Sequence, residues 1–109
     1  MGIHDILNTE GKYIQMVSEE ACYNPRDTNS CLIWTGKVYI TRAAVQNAVW
    51  NYYQCIVPVK DVIAALHNAG ILEEDNSGSK TKKCKYGGRH YVISVKMLQR
   101  YCDFKNGKG

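Results

Sequence analysis

The chain is short of several things that would give a function away. It has no apolar run near the ~20 residues that cross a bilayer, and Met1-Gly2-Ile3-His4-Asp5 lacks the basic start and apolar core of a secretory signal. A cytoplasmic location without membrane contact is the expectation. It has no nucleotide-binding glycine loop, because Gly87-Gly88 falls between two β-like runs instead of opening a helix. The five cysteines, Cys22, Cys31, Cys55, Cys84 and Cys102, are odd in number and widely spaced. That argues against a disulfide framework, and no close Cys or Cys/His pair suggests a zinc site. Reduced cysteines, no metal and no cofactor are expected. The acid clusters Glu19-Glu20 and Glu73-Glu74-Asp75 read as solvated stretches, and no cysteine has a histidine close in sequence, so an enzyme is not expected. Phenylalanine occurs once, as Phe104, but eight tyrosines and two tryptophans supply aromatic bulk. There is no internal repeat and no low-complexity tract.

What is present is a chain of 109 residues, 45% hydrophobic and 22% charged, enough for one domain with a real core. Residues 1–104 are read as that domain and 105–109 as a flexible tail. The net charge of +4 is modest, but its distribution is not. Residues 1–75 carry five basic and nine acidic side chains; residues 76–109 carry nine basic ones against Asp103 alone. Such asymmetry is the footprint of a polyanionic partner.

Hydrophobic periodicity predicts the elements. Glu10–Cys22 reads as a helix capped by Thr9, with Tyr13, Ile14, Val17 and Ala21 on one face. Asn24-Pro25-Arg26-Asp27 breaks the chain. Two short β-like runs in Cys31–Ile40 flank Thr35-Gly36-Lys37, a small hairpin or tight turn. Thr41 caps a second helix, Arg42–Tyr53, whose buried stripe is Val45, Ala48, Val49 and Tyr52. A third helix, Pro58–Ala69, repeats the stripe with Val59, Val62, Ile63 and Leu66 and stops at Gly70. Ile71-Leu72 are buried, and 73–79 form a polar loop. Two strands, Lys80–Tyr86 and Arg89–Val95, flank a two-residue Gly87-Gly88 turn. That register sets Tyr86 opposite Arg89 and Lys85 opposite His90, turning Cys84, Tyr91 and Ile93 to the core and Lys83, Lys85 and His90 outward. A last helical turn, Lys96–Cys102, packs back through Met97, Leu98 and Tyr101.

The stretch from Val38 to Ile93 resembles the winged helix-turn-helix DNA-binding family. The resemblance is carried by Val-Tyr-Ile-Thr before a helix, a short connection, and Ile-Ala-Ala-Leu-His-Asn-Ala-Gly-Ile-Leu before a basic hairpin. It covers about half the chain and specifies fold better than function. The chain also resembles the small accessory proteins that mark the transfer origin of clostridial conjugative plasmids, and the winged domains of phage and plasmid replication proteins. The resemblance implies an α+β fold with a three-helix core, a small antiparallel sheet, a basic wing and a short C-terminal helix. It also implies duplex DNA as the partner, pairing of two copies, and a relaxase or helicase as the enzyme served.

Within that family the third helix usually reads bases. Here its exposed positions offer Lys60 beside Asp61, with His67, Asn68 and the apolar Ala64-Ala65, a weak set for phosphates. The hairpin offers Lys80, Lys82, Lys83, Lys85 and Arg89 within ten residues. Thr81, Tyr86 and His90 are hydrogen-bonding candidates, and Arg42 and Lys37 possible second contacts. Arg89 beside a slim tip suits a narrow minor groove. Against this stand plainer readings: a lysine run protects an exposed strand edge, Lys82 faces the core by register, and Trp50 is either core filling or a dimer contact with Trp34, Tyr53 or Ala64. A transcriptional regulator, an RNA-binding winged domain and a protein-interaction module stay open beside a DNA-binding accessory protein.

Overall fold

A computed structural model describes residues 13–73, 80–83 and 87–105. The order is strand β1 (Gln15–Val17), a 3-10 turn (Glu20–Cys22), β2 (Ser30–Trp34), β3 (Lys37–Ile40), helix α1 (Arg42–Tyr53), helix α2 (Val59–Asn68), β4 (Leu72–Glu73), β5 (Lys82–Lys83), β6 (Arg89–Ser94) and helix α3 (Val95–Lys105). The protein is α+β: three helices and a mixed sheet in the order β1-β2-β3-β6-β4, with β5 also paired to β6. Among the described residues, no helix is long and apolar enough to cross a membrane.

The N-terminal helix expected over Glu10–Cys22 is not formed. Gln15–Val17 is instead a strand parallel to β2, with Val17 beside Leu32, and the Gln15 N–H donates to the Asn29 carbonyl at 2.7 Å. The open edge of β2 satisfies a backbone that a short, isolated helix would have to satisfy alone, and sheet pairing overrides a brief helical period. Ala21, placed on the buried face by that period, is exposed. Thr9, the expected cap, lies outside the described residues.

From β2 onward the local chemistry governs. Trp34 pairs with Lys37 across Thr35-Gly36, both at positive φ (53° and 77°), a type I′ turn whose twist matches its strands. The Thr41 hydroxyl accepts from the Ala44 N–H at 3.2 Å, the expected cap of α1. α2 ends on Gly70 at φ +72°, where the Gly70 N–H reaches the His67 carbonyl and the Ile71 N–H the Leu66 carbonyl. That pair of bonds is a Schellman stop, and the left-handed φ is why glycine sits there.

α1 and α2 lay their apolar stripes on one sheet face. Val45, Ala48, Val49, Val59, Ile63 and Leu66 share a single core with Val38, Ile40, Tyr91, Ile93 and Leu98. β6 is central, hydrogen-bonded to β3, β4 and β5. His90 and Val92 alternate with Tyr91 and Ile93 and are also buried, but outside that core, so both faces of β6 are covered.

The C-terminal part departs from expectation in three places. Glu73 belongs to β4 rather than a loop. Val95 opens α3, and Lys105 ends it, so the helix is longer than expected and takes in the first residue assigned to the tail. The Ser94 hydroxyl accepts from the Met97 N–H at 3.3 Å and caps α3. Leu98 packs into the core, but Met97 does not and stays exposed. Gly107, Lys108 and Gly109 lie outside the described residues.

Candidate nucleic-acid interface

The basic hairpin forms, in a different register. Lys82 pairs with His90 and Lys83 with Arg89, leaving residues 84–88 between the strands. The two-residue Gly87-Gly88 turn is therefore not what joins them, although both glycines hold the positive φ expected (99° and 72°). The displaced pairing alters the expected faces. Lys85 and Tyr86 lie outside the described residues, and of Lys83 only the backbone position is described.

His90 is the clearest correction. Expected on the outer, cationic face, it is 0% exposed, and its Nε2 meets the Tyr23 hydroxyl at 2.9 Å. Tyr23, itself buried, comes from the segment after the 3-10 turn and covers the sheet face taken for open. Burial pushes the His90 pKa down, opposed by a hydrogen bond to the Gly88 backbone. A buried, largely uncharged imidazole braces the hairpin from within and is not a contact for phosphate.

The remaining candidates divide by what they touch. Lys37 lies 3.1 Å from Glu73 Oε2 and Lys82 3.4 Å from Glu73 Oε1. One carboxylate at the end of β4 thus gathers two of the expected DNA contacts, and the reading of Lys82 as partly structural fits its half-buried position. The Arg89 Nε–H donates to the Thr81 hydroxyl at 2.7 Å, and its Nη2 to the Thr81 carbonyl. The guanidinium is thereby clasped across the hairpin, not extended from its tip. Arg42, exposed at the start of α1, donates to the Tyr91 hydroxyl at 3.3 Å. Lys80 is exposed at the entry to β5. Lys60 and Asp61 are both exposed on the first turn of α2, the weak phosphate surface expected there.

The segment around Asn24-Pro25-Arg26-Asp27, expected only to break the chain, is ordered from Tyr23 to Asn29. It is a built loop. The Arg26 N–H donates to Asn24 Oδ1 at 3.0 Å, and the Asn29 N–H to Asp27 Oδ1 at 2.9 Å. Asn47 of α1 donates to the Thr28 carbonyl and to Asn29 Oδ1. The only signal in the sequence was its density of Asn and Asp, residues that bond their own backbone in turns.

Elsewhere, Trp50 is 48% exposed, which removes the core-filling reading. With Ile56, 88% exposed, it lines an open cleft of about 340 Å³ together with Thr28, Gln46, Cys55 and Val57. Cys22, Cys31 and Cys55 are free thiols, and burial pushes Cys31 up to about 12, far from reactivity. Among the described residues no three His, Cys, Asp or Glu side chains come together as a metal site. Compared with known proteins, the chain matches no family model, no curated protein and no solved structure.

Proposed function

We propose that this chain is a sequence-specific duplex-DNA-binding protein of winged helix-turn-helix type, gripping DNA mainly through the basic β5–β6 hairpin and serving an accessory or regulatory role instead of a catalytic one. The observation that carries the reading is the charge division: nine basic residues against one acid after residue 75, in the part of the chain that forms the hairpin and α3. Neutralising backbone phosphate is what supplies affinity for DNA irrespective of sequence. The arrangement of β3, α1, α2 and a final hairpin, with β3 paired to β6, supports the winged form; the strand β1 in place of a first helix departs from it.

The contacts we assign are Lys80, Lys83, Lys85, Arg89, Thr81 and Tyr86 on the hairpin, with Arg42 beside it. Lys82 and Lys37 contribute less, being paired with Glu73. Lys60 on α2 is a peripheral contact at most. Two copies pairing through the uncharged surface of Trp50 and Ile56 would offer two hairpins to paired half-sites. Marking an origin of plasmid transfer for a relaxase is the process that the sequence resemblance favours.

The test is binding of the intact chain to labelled duplex at low and high salt, beside a variant with Lys83, Lys85 and Arg89 changed to alanine. Salt-sensitive binding that the folded variant loses is the expected result. Indifference to duplex even at low salt would make the lysines edge protection and turn attention to the Trp50 cleft as a protein-binding surface.

A further inference from the structure

The loop between the 3-10 turn and β2 brings a cation to the hairpin that its place in the sequence does not advertise. A notch of about 420 Å³ opens between Pro25, Arg26, Thr41, Gly87 and Gly88. Its two walls come from chain segments about sixty residues apart. Pro25 and Arg26 line it from one segment and the glycine pair from the other, with Thr41 at the head of α1 also in the lining.

The loop that carries Pro25 and Arg26 is anchored by hydrogen bonds on both sides. On one side, Tyr23 is tied to His90 at 2.9 Å, one residue after Arg89. On the other side, Asn47 of α1 holds the Thr28 carbonyl and Asn29. Within the loop, Asn24 and Asp27 each accept a backbone N–H. The Asp27 carboxylate is thus partly engaged by its own turn. Gly87 lies so close to the loop that an added Cβ would sit 3.9 Å from the Pro25 ring. Arg26 is exposed, and among the described residues no carboxylate pairs with it. Arg26 is the cation that lines the notch; the neighbouring guanidiniums of Arg42 and Arg89 are engaged by Tyr91 and Thr81.

We propose that Arg26 and the Gly87-Gly88 turn form one notch that takes a backbone phosphate of the duplex, making the 23–29 loop a second jaw opposite the wing. A guanidinium meets phosphate with paired hydrogen bonds, and glycines without side chains let a sugar–phosphate strand come close to the protein backbone. The lining offers one guanidinium with backbone groups, a set suited to phosphate; the same guanidinium can pair with guanine, and uniformity of its effect across sequences separates the two. The inference rests on the duplex-DNA reading and adds to it a residue outside the hairpin.

The experiment is a salt titration of duplex binding with the full-length chain, its Arg26→Gln and Arg26→Lys variants, and Lys80→Ala as the hairpin control. Arg26 is exposed, so the fold should survive, and thermal melting checks this. Arg26→Gln is expected to weaken binding on the order of tenfold and to lower the log–log salt slope by about 0.9. The loss should be uniform across unrelated duplex sequences, and Arg26→Lys should retain the slope. Unchanged affinity and slope in Arg26→Gln, while Lys80→Ala loses both, would overturn the notch and leave the hairpin reading standing. A loss confined to one preferred sequence would overturn it too, since that marks a base contact. Failure of the unaltered chain to bind duplex at the lowest salt would remove both readings.

Discussion

The Tyr23 hydroxyl and His90 Nε2 lie 2.9 Å apart in the interior, joining the loop that precedes β2 to the strand that ends the hairpin. Both residues are buried, so each satisfies a polar atom that burial would otherwise leave expensive. Tyr23→Phe keeps the ring and removes the bond. We expect it to lower stability by about 1–3 kcal/mol, read as a shift of the urea midpoint at constant m.

The same histidine makes stability depend on pH. Burial lowers the His90 pKa in the folded state below its ordinary value of 6.5. The unfolded chain therefore binds the proton more readily, and stability rises with pH across that interval. Its contribution is full above 6.5 and is lost as pH falls below that value toward the lowered folded pKa. Urea midpoints at pH 7.5 and pH 5 should differ in that sense, and His90→Gln should flatten the difference. An equally steep profile in the variant would place the titration elsewhere.

Glu73 draws in both Lys37 and Lys82. All three side chains are about a third exposed, so solvent screening leaves each pair roughly 0–1 kcal/mol. Glu73→Gln should therefore change thermal stability little. If the hairpin binds DNA, the same change should strengthen duplex binding and steepen its salt dependence, because it deletes the negative charge beside Lys37 and Lys82. Weaker binding would contradict the placement of the interface.

Thr35 is a β-branched residue at φ 53°, the first central position of the β2–β3 turn. Asparagine tolerates that left-handed conformation, and Asn-Gly is the preferred pair for a type I′ turn. Thr35→Asn is expected to raise stability by about 0.5–1 kcal/mol, despite losing the Thr35 hydroxyl's bond to the Trp34 carbonyl. Thermal melting is sufficient to see it.

In the core, Leu66 is completely buried where α2 meets the sheet. Leu66→Ala removes apolar volume that close-packed neighbours do not refill, and about 2–5 kcal/mol should be lost. Chemical denaturation measures this directly.

The middle of the fold was legible because its signals are local. Thr41 as cap, the Val45–Tyr52 and Val59–Leu66 stripes, and Gly70 as stop each depend on neighbours a few residues away. The N-terminal strand was not legible, since Gln15–Val17 is extended only because β2 offers it an edge. The hairpin register was misread for a related reason. Gly87-Gly88 does adopt positive φ, but Lys82 pairs with His90, and His90 is buried against Tyr23, sixty-seven residues earlier. An alternating pattern tells which residues share a face, not whether a loop from elsewhere covers it. The candidate site was legible as a charge distribution, and its internal pairings with Glu73 and Thr81 were not.

The central place of β6 has a consequence for synthesis. A ribosome makes both helices and β3 long before residues 89–94 emerge, and until then the β3 edge that β6 will occupy stands open. Chains released early, or stalled before that point, would present an apolar unpaired strand to one another. The cationic stretch that directly precedes β6 emerges just before the strand that closes this edge, and like charges there oppose pairing between such half-made chains.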